Sequence, residues 1–381
     1  MKRILLFLGV ILMVMTACQQ NSNDGIEKTP IENEQSQIDF DEEQEKPIET
    51  DEDDTTKDVE SDNNGENIED DHHSAVIRIE DVDLSLNPNE AGRIMVLMYH
   101  SIGEKDNAWE ITPDSFRKDL EYMYENKYRP ISLEKVIKGE IDTPAGYTPI
   151  VLTFDDGNQN NFNMIEVEGE WIIDPDSALG IMEYFNEKYE DFNVTATFYL
   201  FGENPFRQKE WVEYKLKYLV DHGYDIGNHT YSHANLANLE SPEAIQRELA
   251  KMVEGIQGFL PDYTMTSFAI TYGISPRDEW KQYMVKGEYD GTAYSHLGLL
   301  EVGAHPSFSP YDYRFNALSI PRIRGSNTAE PMESADWFLY FEENPDRRFI
   351  SDGFTEIITL PETMLELIDE KHLENRMLLT Y

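Results

Sequence analysis

Short apolar segments alternate along most of the chain with longer segments whose apolar residues recur every three or four positions. The short segments have the length of buried strands, and the longer ones have the spacing of amphipathic helices. Thr112 and Pro113 add a helix-start signal, because threonine caps a first turn and proline fits the first helical position. Repeated strand and helix units predict an α/β fold with a parallel sheet, either open and doubly wound or closed into a barrel.

The predicted elements cover most of the chain from residue 93 onward. Predicted strands span residues 93–102, 150–154, 194–201, 224–227, 266–272, 291–300 and 317–323. Predicted helices begin at Pro113 and then span residues 178–189, 209–221, 242–259 and 277–285. Residues 361–374 have apolar positions at helical spacing and predict a further amphipathic helix, and the apolar run 337–341 predicts a C-terminal segment packed on the rest. The connection 157–177 is unusually long and is expected to cover one rim of a cleft.

Two short motifs carry candidate chemistry. The first, Thr-Phe-Asp-Asp-Gly, places Asp155 and Asp156 at the end of a predicted strand, and the second, His-Thr-Tyr-Ser-His, places His229 and His233 four positions apart. Alone, the first motif is typical of a turn and the second of a solvated histidine pair. Together, one carboxylate and two imidazoles form the ligand set of catalytic zinc and related divalent sites. The other carboxylate would then be free to act as a base.

These two motifs resemble those of the polysaccharide deacetylase family, the NodB-homology carbohydrate esterases of family 4. Residues 196–202, Ala-Thr-Phe-Tyr-Leu-Phe-Gly, look like the family's strand between them. Residues 96–102, Val-Leu-Met-Tyr-His-Ser-Ile, and 112–116, Thr-Pro-Asp-Ser-Phe, are similar to the opening of its biofilm-polysaccharide and cell-wall branches. The resemblance extends over about residues 93–325. It implies a distorted (β/α) TIM-like barrel of about seven parallel strands.

The resemblance also implies a role for each site residue. It makes Asp155 the general base, and it makes Asp156, His229 and His233 the ligands of one divalent ion, zinc first and cobalt or nickel as alternatives. The backbone N–H of Tyr272, in the family's third motif, would stabilise the oxyanion that forms when water attacks an acetamide.

Three departures from the family pattern affect these expectations. Ala269 stands where the family has an arginine that orients the base, Thr271 replaces a proline, and no clear copy of the late leucine-x-histidine motif for the general acid is found. His100 is the first candidate for the acid because it ends the first predicted strand. His296 and His305 are weaker candidates. For all three, a structural or solvated histidine is the alternative.

The N-terminus predicts export and anchoring. Lys2 and Arg3 supply positive charge, and residues 4–15 are apolar, a segment shorter than the roughly 20 residues that span a bilayer. Residues 1–17 therefore read as a lipoprotein signal peptide, with Cys18, the single cysteine, as the lipidated residue. An ordinary signal peptide with a chance cysteine is the alternative. Residues 18–75 are acidic and poor in aromatics, which predicts a disordered tether ahead of a catalytic domain at 76–326 and an extension at 327–381.

The net charge of the chain limits the classes of molecule that it is expected to bind. The formal net charge is −44, which disfavours nucleic acid because phosphate binding depends on lysine and arginine. A neutral or amino-bearing glycan is compatible with this charge, although acidity also favours solubility. We therefore expect a lipid-anchored, extracytoplasmic hydrolase that removes acetyl groups from a glycan, most simply N-acetyl groups of a hexosamine polymer. The alternatives are a glycan-binding pseudoenzyme that keeps the metal site and an O-acetyl esterase of the xylan type. The oligomeric state stays open.

Overall fold

A computed structural model describes residues 78–326, 328, 331–373 and 375–381. The predicted signal peptide, Cys18 and the acidic segment 18–75 lie outside the described residues. Within the described ranges, no helix has both the length and the apolar character needed to cross a membrane.

Strands and helices alternate through the described chain. The strands are β1 (Met95–Tyr99), β2 (Ser101–Ile102), β3 (Glu110–Ile111), β4 (Tyr128–Pro130), β5 (Thr148–Phe154), β6 (Met164–Val167), β7 (Glu170–Ile173), β8 (Thr197–Leu200), β9 (Asp225–Asn228), β10 (Ser267–Ala269), β11 (Lys286–Tyr289), β12 (Thr292–Ser295), β13 (Gly298–Leu300), β14 (Ile323–Arg324), β15 (Ile357–Leu360) and β16 (Met377–Thr380). The helices are α1 (Pro113–Glu125), α2 (Leu133–Lys138), α3 (Ala178–Lys188), α4 (Val212–Asp221), α5 (Pro242–Gln257), α6 (Gln282–Val285), α7 (Ser334–Glu343) and α8 (Glu370–Leu373).

The main sheet is parallel and curled. Seven strands follow one another in the order β13-β10-β9-β8-β5-β1-β14, and β4 pairs with the first half of β5. Beyond β13, Leu299 and Glu301 are hydrogen-bonded through the backbone to Ala317 and Ile320, in the segment that leads into β14. The sheet therefore forms a distorted half-barrel, which confirms the predicted α/β fold with about seven parallel strands.

The first helix shows how the sequence sets these elements. The hydroxyl of Thr112 accepts a hydrogen bond from the N–H of Ser115 at 3.2 Å, which caps the first turn of α1. Phe116, Leu120 and Met123 lie on one face and are buried in the core. Burial of such side chains stabilises the fold by about 1.5–3 kcal/mol each. The prediction of this helix is confirmed.

Three predicted elements near the end of the sheet are changed. The predicted strand 291–300 is two strands, because β12 turns back on β11 in an antiparallel hairpin through Asp290 and Gly291, both with positive φ, and only β13 joins the main sheet. The predicted helix 277–285 is reduced to a 3₁₀ turn followed by α6. The predicted strand 317–323 contracts to β14.

The predicted amphipathic helix at 361–374 is wrong. This segment forms a 3₁₀ turn over Glu362–Leu367 and the short α8. The backbone carbonyl of Leu367 accepts from the N–H of Tyr313, and the N–H of Asp369 donates to the carbonyl of Tyr311, so tertiary hydrogen bonds replace those of a helix. The predicted packing of residues 337–341 is confirmed, since Phe338 and Phe341 of α7 are buried.

The long connection 157–177 contains the antiparallel hairpin of β6 and β7. Its two turn residues, Glu168 and Gly169, both have positive φ, 55° and 89°, as a two-residue type I′ turn requires. Residues 155–163 separate the hairpin from the end of β5, so the connection starts at the edge of the sheet where β5 ends.

Candidate active site

The candidate site lies at the edge of the sheet where the parallel strands end. Asp155 follows β5, His229 follows β9, and His100 follows β1. The N–H of Asp155 donates to the carbonyl of Tyr99, and the N–H of His229 donates to the carbonyl of Leu200, so strand-type hydrogen bonds continue into the site. Because the carboxyl ends of parallel strands meet at one edge, the three side chains are carried to the same place.

Asp156, His229 and His233 form a compact triad. The Nε2 atom of His233 lies 3.2 Å from a carboxylate oxygen of Asp156, and the Nε2 atom of His229 lies 3.6 Å from the same oxygen. One ligand atom from each residue lies within 4.8 Å of the other two. Across the described ranges, this is the group of three or more such side chains whose spacing allows a metal ion.

The donor set and its support fit a divalent ion. Zinc binds imidazole nitrogen and carboxylate oxygen at about 2.0–2.2 Å, so ligand atoms around one ion lie roughly 3 Å or more apart, as in this triad. The Nδ1 atom of His229 donates to the carbonyl of Ala269 at 2.8 Å, which leaves Nε2 directed at Asp156. A hydrogen bond of this kind fixes the tautomer and orientation of a metal-binding histidine.

The histidine motif is a tight loop and not a helix. Thr230 and His233 have positive φ, 59° and 54°, and Asp156 on the facing loop has φ 73°. The carboxylate of Glu248 on α5 holds the loop by accepting from both the N–H and the hydroxyl of Ser232, each at 2.8 Å. Non-glycine residues in this backbone region are uncommon and collect at functional sites, where the surrounding structure holds them.

Asp155 is fixed by an arginine that the sequence analysis missed. Both carboxylate oxygens of Asp155 accept hydrogen bonds from the guanidinium of Arg322, each at 2.7 Å. The side chains of Asp155 and Arg322 are 2% and 0% exposed, so the pair is shielded from water. Arg322 also donates to the hydroxyl of Thr153 and to the carbonyl of Glu301. Planar two-point contacts of this kind set the orientation of a carboxylate.

The electrostatics keep Asp155 ionised. Burial alone would raise the pKa of its carboxyl, but the charge and hydrogen bonds of Arg322 outweigh burial and hold the pKa below its usual range. Arg322 therefore makes the contact with Asp155 that the resemblance led us to expect from an arginine at position 269. Arg322 lies just before β14, but it is the last residue but one of the predicted strand 317–323. A charged residue at the carboxyl end of a predicted barrel strand is the signal that could have found it.

His100 lies beside this pair. Its Nε2 atom is 4.0 Å from a carboxylate oxygen of Asp155, and its ring is in edge contact with Trp109 at a centroid distance of 4.9 Å. Burial lowers the pKa of His100, although the carboxylates of Asp155 and Asp156 oppose that effect. The structure thus brings the first candidate acid to the same centre as the candidate base.

Tyr272 is also brought to the triad. Its ring contacts that of His233 at a centroid distance of 4.6 Å, and its φ of 59° is unusual for an aromatic residue. The hydroxyl of the preceding Thr271 donates to the carbonyl of Ala234, which ties this turn to the histidine loop. The turn after β10 therefore places the tyrosine ring beside the triad.

The two weaker candidates for the acid, His296 and His305, lie in different surroundings. His296 precedes β13, at the opposite edge of the sheet, and its Nδ1 donates to the carbonyl of Met284 at 2.7 Å. Burial lowers the pKa of His296 to about 4, so the ring is neutral at pH 7 and acts as a core residue. His305 follows β13 but is exposed, with a contact from its Nδ1 to the carbonyl of Pro306.

Comparison with known proteins found similar sequences among polysaccharide deacetylases. Residues 143–287 match a family model described as polysaccharide deacetylase. A peptidoglycan-N-acetylglucosamine deacetylase of Bacillus cereus is 26% identical over 153 residues, which is 40% of this chain and 47% of that protein. The YxkH protein of Bacillus subtilis is 22% identical over 172 residues, 45% of this chain and 54% of that protein. The chain spans about half the length of these curated relatives.

Among solved structures, the Streptococcus pyogenes deacetylase PplD in complex with acetate aligns with a TM-score of 0.47 and 19% identity, over 65% of this chain and 97% of that chain. The segment matched by the family model contains most of the residues described above, namely Asp155, Asp156, His229, His233 and Tyr272. His100 and Arg322 lie outside it, on either side.

Proposed function

We propose that this chain, whose residues 143–287 match the polysaccharide deacetylase family model, is an extracytoplasmic hydrolase that removes N-acetyl groups from a hexosamine polymer. The observation that carries the proposal is the buried, two-point pair of Asp155 and Arg322 beside the triad of Asp156, His229 and His233. A carboxylate held ionised and oriented next to a set of metal ligands is suited to take a proton from water during attack on an amide.

The triad would hold one divalent ion, with zinc as the first candidate and cobalt or nickel as alternatives. Such an ion supplies Lewis-acid chemistry when bound, since it makes water more acidic and polarises a carbonyl group. The hydrogen bond from Nδ1 of His229 to the carbonyl of Ala269 fixes the orientation of this imidazole ligand. The loop contacts of Glu248 keep His233 in place.

The chain's own residues can account for the proton transfers. Asp155 accepts a proton from the water that adds to the carbonyl carbon, while Arg322 keeps its carboxylate in one orientation. As the carbon–nitrogen bond breaks and acetate forms, His100 in its protonated form donates a proton to the amine nitrogen that leaves. The backbone N–H of Tyr272 donates to the oxygen of the former carbonyl, where negative charge develops.

The contact between Arg322 and Asp155 also bears on the alternatives. A glycan-binding protein without turnover was suggested by Ala269, which leaves the base without the family's arginine. Arg322 supplies a guanidinium to the same carboxylate, so that reason no longer favours the binding protein. An O-acetyl esterase would use the same residues, and a choice between amide and ester substrates requires an assay.

For location, we propose that Cys18 carries a lipid that anchors the chain on the outer side of the cell membrane. The basic, apolar and cysteine-containing order of residues 1–18 supports this proposal. A Cys18→Ser protein should lose lipid labelling and leave the membrane fraction. A variant that stays labelled and membrane-bound would refute it.

The function is tested by release of acetate from a panel of acetylated glycans, with and without chelator and added metal. We expect release from N-acetylglucosamine oligomers or peptidoglycan, and loss of release when metal is removed. Preferential release from acetylated xylan would favour the esterase. Binding of the oligomers with no release under any metal condition would favour the binding protein.

A further inference from the structure

A row of rings runs along the outer side of the barrel, apart from the candidate active site. We call this row the aromatic stripe; it consists of Trp171, Trp211, Tyr214, Tyr218 and His222. The centroids of successive rings are 5.2, 5.7, 5.9 and 3.8 Å apart. Each ring therefore contacts the next, and the stripe is continuous.

Helical spacing explains most of the stripe. Trp211, Tyr214, Tyr218 and His222 are separated by three, four and four positions, so they share one face of α4 and its two flanking residues. Trp171 comes from β7 of the hairpin in the connection 157–177. The side chain of Gln208 fixes the base of this hairpin, since it accepts from the N–H of Met164 and donates to its carbonyl, each at 2.8 Å.

The stripe is open on one side. Trp171 is 48% exposed and Tyr214 is 42% exposed, and the inner sides of Tyr214 and Tyr218 rest on the buried ring of Phe162. The helix α4 connects the end of β8 to the start of β9. The stripe therefore begins near the catalytic edge, the edge of the sheet that carries the candidate active site, and runs away from it. A supported row of half-exposed rings is the kind of surface on which sugar rings stack.

The charges around the stripe are mostly negative. Glu166 pairs with Trp171 across the hairpin and is exposed, as are Glu170 on β7 and Glu210 beside Trp211. The cation of Lys217 on α4 is matched by Glu213 at 2.6 Å. A ligand that combines flat apolar faces with positive charge complements such a surface, because ammonium groups are attracted both to carboxylates and to aromatic faces.

We propose that the aromatic stripe is an accessory binding surface for a linear amino-sugar glycan with free amines. The choice of an amino-sugar rests on the proposed function, since free amines are what removal of N-acetyl groups produces. The pyranose faces lie on Trp171, Trp211 and Tyr214, and the ammonium groups lie beside the glutamates. Binding of the deacetylated stretch there keeps the polymer close to the catalytic edge.

The test measures binding of a glucosamine hexamer, which has no acetyl group to lose, to the full chain at low and high salt. An N-acetylglucosamine hexamer and a cellulose hexamer are the comparison ligands. The variants are Trp171→Ala and Tyr214→Ala, with Trp171→Tyr and Tyr214→Phe to keep a ring. Tyr184→Ala is the matched control, because Tyr184 is 53% exposed on α3 and its ring contact is with Phe185 instead of the stripe.

The proposal expects the glucosamine hexamer to bind most tightly, with affinity that falls as salt rises. Trp171→Ala and Tyr214→Ala should each weaken binding by about three- to tenfold, the effect of one lost cation–π or stacking contact, while Trp171→Tyr, Tyr214→Phe and Tyr184→Ala bind like wild type. Unchanged binding in both alanine variants, or a preference for either uncharged hexamer, would overturn it. Release of acetate from a short N-acetylglucosamine oligomer, measured on the same proteins, tests the proposed function separately.

Discussion

Replacement of Arg322 is the most informative single perturbation of this protein. Arg322→Met removes the guanidinium that donates two 2.7 Å hydrogen bonds to Asp155 and leaves a carboxylate in a site where it is 2% exposed. Hydrogen bonds to charged groups contribute about 1.5–3 kcal/mol each, and loss of one partner from a buried ion pair costs about 3–5 kcal/mol. We therefore expect the free energy of unfolding to fall by about 3–5 kcal/mol.

Urea unfolding of four proteins gives the coupling between the two side chains. Wild type, Arg322→Met, Asp155→Asn and the double variant form a double-mutant cycle. The double variant should regain part of the loss, with a coupling free energy of about 2 kcal/mol or more, because it no longer holds an unpaired buried charge. Arg117→Met is the control: Arg117 donates to Asp176 at 2.6 Å, but that carboxylate is 64% exposed, so the cost should be at most about 1 kcal/mol.

Two results would refute the reasoning. If Arg322→Met and Arg117→Met cost the same, the buried pair has no special contribution. If the two single changes at Arg322 and Asp155 add without coupling, the pair does not act as one unit. In either case the orientation of Asp155 would have to come from another contact.

Further predictions concern the metal ligands, the acid and a buried lysine. His233→Ala should lower the metal content found by elemental analysis, whereas His305→Ala should leave it at the wild-type level. His100→Ala should lower kcat by about 10²- to 10⁴-fold at unchanged metal content, the range for loss of a general acid, and His305→Ala should again match wild type. Burial lowers the pKa of Lys215 from 10.5 to about 7, so folding releases a proton between these values and stability should rise with pH there, by up to about 1.4 kcal/mol per unit. Urea unfolding of Lys215→Met across the same range should lack this rise; an equal rise in both proteins would contradict the assignment.

Local signals in the sequence were sufficient to predict much of the fold and the residues of the triad. The cap at Thr112, the apolar run of β5 and the spacing of α5 each follow from contacts within one element. Asp156 and the two histidines were found because their motifs come after predicted strands and because the histidines are four positions apart. The short β4 was not predicted, because three residues carry too little pattern to distinguish a strand from a loop.

The remaining features depend on contacts between distant parts of the chain. Arg322 and Asp155 are separated by 167 positions, and nothing next to either residue indicates the other. The segment 361–374 has helical spacing, but backbone hydrogen bonds to residues 311–313 hold it in another form. Tertiary contacts of this kind override local propensity, and they become visible only when the strands are assembled.

The central claim is that Asp155 is the base of a metal-dependent deacetylase, and one comparison tests it most directly. Acetate release from an N-acetylglucosamine oligomer is measured for wild type and Asp155→Asn at equal, analysed metal content. We predict measurable release by wild type and a loss of at least about 10²-fold in Asp155→Asn, because the amide cannot accept the proton of the attacking water. Equal release by the two proteins at equal metal content would contradict the account.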